Sequence, residues 1–413
     1  MYLTWLKCIG IFVLWLCIGS NLTHCQPFFK LDSNARKTKM RFDLIRNMII
    51  VPVNINGKGP YNFVLDTGVG LMIITDPKLV DSLNIKNKRL ITVSGMGGGK
   101  EFQAYVTSSL KVNMPGITGD NISAAILKND EFGLSNYAGM PIHGLLGYEF
   151  FSSFMVRVNF PDSTLTAGLP KAIRVFKRGD KIPLSIEEHK PYLNTQVKID
   201  AKKKVKGDKL ILDLGAGHPL SLENLANQTN ALPEKFIAAN LGVSLTGPII
   251  GYLSRIEQFE IGKYKLKNVI TSFPHYDTTK TGLIVVKRDG NVGMEVLKKF
   301  DLIIDYQNSM LYLKPNIFFN DPFEHDMSGI DYYASGTDLK RIIINSVEKD
   351  SAADDIGLKS GDEITKINFE PVSKMTLGQI DKIFKSKDKR GVLLEVFHDN
   401  QYDKILLFLK RRI

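Results

Sequence analysis

Cysteine is nearly missing from this chain. Its 413 residues include three, Cys8, Cys17 and Cys25, all near the N-terminus. Beyond residue 25 there is no disulfide framework and no thiol chemistry. An exported chain without disulfides points to a bacterial one. The seven histidines show no HExxH or other ligand spacing, so no metal and no other cofactor is expected. The glycine-rich run SGMGGGKEF at 94–102 lacks the Gly-Lys-Ser/Thr of a phosphate loop, and no helix signal follows it. Basic residues outnumber acidic ones, for a net charge of +11, but they are spread along the chain without interleaved aromatics. That pattern excludes a base-stacking nucleic-acid reader and leaves a basic surface. Long apolar runs are absent too. The run CIGIFVLWLCIGS at 8–20, behind Lys7, is too short for a comfortable membrane span and has the charged and apolar regions of a secretory signal. Residues 1–25 are therefore expected to be a signal peptide, and the protein secreted, periplasmic or envelope-associated. Cys25, in the lipobox-like LTHC at 22–25, is a candidate lipid anchor.

What remains is ordinary globular material, 44% hydrophobic and 23% charged, enough for two to four domains. Past the signal the chain is strand-rich, with short apolar runs between glycine, asparagine and proline turns. MIIVPVNINGKGPYNFVLD at 48–66 reads as a hairpin about Asn56-Gly57. The same texture returns in 180–318, and it is a repeat. FVLDTGVG (63–70) matches LILDLGAG (210–217), HGLLGYEFF (143–151) matches DGNVGMEVL (289–297), and FMVRVNFPDSTLTA (154–167) matches FDLIIDYQNSMLYL (300–313). The offset is 147 from Asp66 to Asp213, and 146 both from Gly147 to Gly293 and from Phe154 to Phe300. Three matches in one order at nearly constant spacing mean a duplicated β-domain.

Each half places an Asp-x-Gly after an apolar strand, as Asp66-Thr67-Gly68 and as Asp213-Leu214-Gly215. A carboxylate there is costly to bury unless it is solvated, paired or functional. One such motif is an ordinary strand exit. Two at the repeat offset, each followed about 80 residues later by an apolar-apolar-Gly-like segment, Leu145-Leu146-Gly147 and Asn291-Val292-Gly293, ask for a function.

This pattern resembles the aspartic peptidases, and their retropepsin-like branch more than the pepsins because the halves are short. The resemblance covers about 45–315 and implies a mostly β chain, two tandem retropepsin-like β-barrel lobes forming a pepsin-like bilobal unit. Lobe one is expected over 40–170 and lobe two over 171–318. It implies that Asp66 and Asp213 form a catalytic dyad supported by Thr67, Gly68, Leu214 and Gly215. Two carboxyls held close share a proton, one activating water and the other protonating the scissile carbonyl. Mobile flaps are expected at 94–102, with Gly95, Met96, Gly97, Gly98 and Gly99, and at 246–253, with Ile249, Ile250 and Gly251. Two departures stand out. Leu214 takes a place where the family carries Thr or Ser, and Asn291 is polar where it prefers an aliphatic residue. Val69 and Ala216 replace hydroxyls found after the glycine in pepsins, so a pH optimum nearer neutral is expected.

The last ninety residues change character. In VEKDSAADDIGLKSGDEITKINFEPV (347–372), Asp350 or Ser351 can cap a short helix that Gly357 ends. This stretch resembles a PDZ domain, an α+β module expected over 325–413. The resemblance implies capture of peptide C-termini by strand addition, with Ser328, Gly329, Ile330 and Asp331 as the carboxylate loop. Together these readings predict a monomeric aspartic endopeptidase acting on polypeptides. The alternative is a non-catalytic peptide-binding protein with a lapsed dyad, marked by Leu214.

Overall fold

The computed structural model describes residues 28–413 apart from 86, 94–101, 131, 203–205, 224, 226–231, 245–246 and 276–285. The expected signal segment, with Cys25, lies outside the described residues. So does most of the glycine-rich stretch expected as the first flap.

The first lobe is built outward from its hairpin. Strands Met48–Ile55 and Lys58–Leu65 turn at Asn56 and Gly57, with φ of 50° and 78°, the double positive φ of a type I′ turn. Strand Gly144–Leu146 joins Lys58–Leu65 in parallel, and Met72–Ile74 joins it antiparallel. Ile117–Leu127 and Phe102–Met114 follow, and the latter pairs back with Met48–Ile55. Six strands thus close on themselves and need no edge protection. The second lobe repeats the circuit through Lys190–Lys198, Lys206–Leu212, Gly290–Val292, Leu220–Leu222, Tyr264–Pro274 and Gly247–Ile261, the last returning to the first. Every pairing keeps the parallel or antiparallel sense of its counterpart.

A third sheet joins the lobes. Its antiparallel order is Asp180–Pro183, Met310–Pro315, Phe300–Asp305, Met155–Asn159, Thr164–Gly168 and Lys37–Arg41. At its centre Arg157 pairs with Ile303, its own counterpart at the 146-residue offset, so the pseudo-twofold axis passes through this pair. Val156, Val158, Leu302, Ile303 and Ile304 are fully buried there, at about 2 kcal/mol each, which holds the lobes together. One continuous core runs through both lobes. Strands Phe29–Leu31 and Lys37–Arg41 belong to the folded unit, which therefore begins before residue 40.

The C-terminal domain has a separate core. Its sheet runs Ile330–Ser335, Arg341–Val347, Glu363–Ile367, Gly391–His398, Gln401–Phe408. Ser351 caps helix Ala352–Asp355 by accepting from the Asp354 amide at 3.2 Å, and Gly357 follows it with φ 77°. A capping box between Thr376 and Gln379 starts helix Leu377–Phe384. Asp399 and Asn400, with φ of 46° and 59°, turn the closing hairpin. The connector is pinned, since Arg255 donates to Phe323 O at 2.8 Å and both Arg255 and Arg411 pair with Glu324. Among the described residues no helix is long and apolar enough to cross a membrane.

Candidate active site

Asp66 directly follows strand Lys58–Leu65, and Asp213 follows Lys206–Leu212. Each amide donates to the short strand crossing behind it, Asp66 to Leu146 O and Asp213 to Val292 O, both at 2.9 Å. The crossing is tight enough to demand glycine. A Cβ on Gly147 would lie 2.3 Å from Val69 O, and one on Gly293 2.2 Å from His218 O.

The two loops face one another. A Cβ on Gly215 would sit 2.2 Å from Asp66 Oδ2, and one on Gly68 would sit 3.1 Å from Asp213 Oδ1. Each bare Cα therefore admits the opposite carboxyl. Hairpin tips brace the arrangement crosswise. Arg46-Asn47 of lobe one lies over Gly217, and Glu188-His189 of lobe two lies over Gly70.

Beneath the dyad the symmetry breaks. Thr67, fully buried, donates from Oγ1 to Leu212 O at 2.5 Å and accepts from the Leu214 amide at 2.9 Å. Leu214, also fully buried, has no oxygen to return to the Thr67 amide. The aspartates differ as well. Asp66 accepts from the Gly68 amide at 2.6 Å. Asp213 accepts from the Gly215 and Ala216 amides at 3.0 and 3.1 Å, and from Asn291 Nδ2 at 2.9 Å. Asn291 is held in turn, its Oδ1 lying 2.8 Å from His218 Nε2. Donors to a carboxylate favour its charged form, and among the described residues more of them converge on Asp213 than on Asp66. Burial, and then the charge of Asp213, push the Asp66 carboxyl up to about 7, against relief from the Gly68 amide and Lys190.

The polar departure at Asn291, read from sequence as a mild irregularity, is thus a donor to the dyad. Two other neighbours gave no sequence signal. Lys190 opens a strand where lobe one has Met48. Burial and Arg288 disfavour its ammonium, while both aspartates favour it. Tyr306 is buried with no partner for its hydroxyl among the described residues, and burial and the two carboxylates raise its hydroxyl pKa well above the usual value. An aromatic at a strand end reads as core, and nothing local separates this one from the rest. Ile249, Ile250 and Gly251 lie in strand Gly247–Ile261, with Ile250 63% exposed. Gly95, Met96, Gly97, Gly98 and Gly99 lie outside the described residues. Among the described residues no group of three or more His, Cys, Asp and Glu side chains could hold a metal ion.

The aspartyl protease family matches residues 51–150, which lie within the first lobe, and the PDZ domain family matches residues 327–396. The chain carries an aspartyl protease domain and a PDZ domain. Among solved structures it is similar to an aspartic proteinase from Irpex lacteus, at 12% identity and a TM-score of 0.44 over 69% of this chain and 99% of that one. A photosystem II D1 C-terminal processing protease matches at 13% identity and a TM-score of 0.20, over 21% of this chain and 23% of that one. No curated protein matches.

In the PDZ domain the expected carboxylate loop is already bonded. The Ser328 and Gly329 amides and the Ser328 hydroxyl all donate to Asp326 Oδ1, at 2.8, 2.8 and 2.5 Å, and the Ile330 amide donates to Ser328 Oγ at 3.1 Å. The Asp331 carboxylate accepts from Asn345 at 2.7 Å. A peptide carboxylate at these amides has to replace Asp326.

Proposed function

We propose that the protein is an aspartic endopeptidase whose dyad is Asp66 and Asp213. The observation that carries this reading is the facing pair of carboxyls with unequal donor sets. Asp213, with three donors, is the ionised member and takes a proton from a water between the two carboxyls. That water attacks the scissile carbonyl. Asp66 keeps its proton up to about neutral pH and gives it to the carbonyl oxygen. The macroscopic titrations belong to the pair, but the donors decide which microstate dominates. Activity then falls as pH rises through about 7, where Asp66 loses its proton. The PDZ domain supplies a second peptide-binding element. The run at 8–20 supports export, and two lobes in one chain support a competent monomer.

Leu214 favours a second reading, a peptide-binding protein without turnover, because one of the two hydroxyl ties between the loops is gone. Cleavage of a mixed peptide library across pH 3–8, beside Asp66→Asn, separates them. The expected outcome is cleavage by the parent and a loss of at least about a thousandfold in the variant. Peptides bound but never cut by either protein would establish the second reading.

A further inference from the structure

A PDZ domain takes a peptide as an added strand at a sheet edge. The edge strand that leads out of the 328–331 loop is Ile330–Ser335. Helix Leu377–Phe384 forms the other wall of this groove, joined to the strand by the Tyr332 hydroxyl, which donates to Leu377 O at 3.4 Å and also to Asp381 Oδ1. Both walls are closed to solvent, with Tyr332, Ala334 and Leu377 all buried.

Lobe one is what closes them. Helix Leu134–Ala138 lies along the edge strand. Asn136 Nδ2 donates to Ala334 O at 2.8 Å, the kind of bond that an amide of an added strand makes. Gly139 ends that helix with φ 69° and presses in so far that a Cβ there would lie 3.0 Å from Leu377 Cγ and 3.8 Å from Ala334 Cβ. Arg46 completes the plug. Its guanidinium grips Asp381 through two bonds of 2.9 and 3.0 Å, between the rings of Tyr137 and Tyr332 at 4.5 and 4.8 Å. The carboxylate end of the site is filled as well, by Asp326.

We propose that the PDZ groove is occupied in cis by helix Leu134–Ala138 and Arg46 of the first lobe, and that a peptide with a free C-terminal carboxylate enters only by displacing that lobe. This rests on the peptide-binding reading of the PDZ domain and is independent of the endopeptidase reading. A groove that is open only part of the time binds free peptide more weakly in proportion to the open fraction. The exchange also reaches the dyad. Asn47, next to Arg46, donates to Gly217 O at 2.8 Å and to Glu295 at 3.2 Å, and Glu295 pairs with Lys385 of the PDZ domain at 3.2 Å. A peptide in the groove therefore loosens the hairpin that leans on the second catalytic loop.

The test uses the full chain with Asp66→Asn, so that nothing is cleaved, and fluorescent peptides of mixed sequence with free C-termini. Asn136→Arg sets a long cation against the strand edge from the lobe side and leaves every groove residue intact. It should tighten peptide binding roughly tenfold by raising the open fraction, and amidation of the same peptides should abolish binding. Equal affinity in parent and variant overturns the proposal. A lock guards against a variant that misfolds. With Cys8, Cys17 and Cys25 changed to serine, Asn136→Cys and Ala334→Cys should form a disulfide. Oxidation should then weaken peptide binding at least tenfold relative to the same chain reduced. A disulfide that does not form, or a locked chain that binds as well as the reduced one, overturns it. Peptides that bind none of these proteins also overturn the exchange, while cleavage by the parent still decides the endopeptidase question.

Discussion

Behind Asp66 the crossing strand presents Leu145; behind Asp213 it presents Asn291. Beside Asp66 stands Thr67, and beside Asp213 stands Leu214. Helix Tyr148–Ser153 of lobe one carries Glu149, whose Oε2 has no partner among the described residues. Its counterpart Glu295 is bonded to Asn47 and Lys385. The duplication supplies the geometry twice, and the divergence divides the labour. The lobe-one loop ties the two loops together, while the lobe-two loop gathers donors around its aspartate. Two identical loops could not by themselves distinguish the two carboxyls. These can, because among the described residues three donors converge on Asp213 and one on Asp66.

The two loops differ most at the hydroxyl tie. Thr67→Val should cost about 3 kcal/mol, since it strands two buried backbone groups, Leu212 O and the Leu214 amide. The reciprocal change, Leu214→Thr, should cost only about 1–2 kcal/mol. It loses packed methyl groups and regains about one hydrogen bond, to the Thr67 amide. Denaturant unfolding of both variants checks this. Equal losses would mean that Thr67 is ordinary core and that the tie is not one-sided.

How much of this the sequence revealed follows from distance along the chain. The Asp66–Asp213 pair was legible because the repeat offset announces it, and the type I′ turn at Asn56-Gly57 because it is local. Thr67 and the missing hydroxyl at Leu214 could be read from one position each. The role of Asn291 could not, because a polar residue in a crossing strand has no meaning until Asp213 is known to lie 2.9 Å away. The sheet that joins the lobes was hidden for a similar reason, since strand Met155–Asn159 pairs with a strand 146 residues on. The plugged PDZ groove depends on Arg46 meeting Asp381 across 335 residues, and no local pattern encodes that.

The lobes also carry buried carboxyls that respond to pH. Asp66, from an ordinary value of 3.8, and Glu149, from 4.5, are both raised to about 7, chiefly by burial. A raised carboxyl favours the folded state when protonated. That stability is fully present below the unfolded value and is lost as pH rises through the folded one. The melting temperature should therefore decline between about pH 4 and pH 7 from these two groups. Glu149→Gln should remove part of the decline without touching the dyad, and Asp66→Asn should remove another part. A melting temperature that climbs over this range in the parent, and does so equally in Glu149→Gln, would contradict the assignment.

The two aspartates also differ in what stands behind them. Asn291→Leu makes lobe two match lobe one behind its aspartate. It removes one of the donors to Asp213, and a hydrogen bond to a charged group is worth about 1.5–3 kcal/mol, so kcat should fall by roughly ten- to a hundredfold with KM little changed. His218→Ala should lower kcat the same way and by less, because it frees Asn291 to turn without deleting the donor. A merely structural role for Asn291 would lower the melting temperature and leave kcat in place. The pairing of the two readouts therefore separates packing from chemistry. If kcat survives Asn291→Leu, the duplicated loops are told apart by something other than their donors.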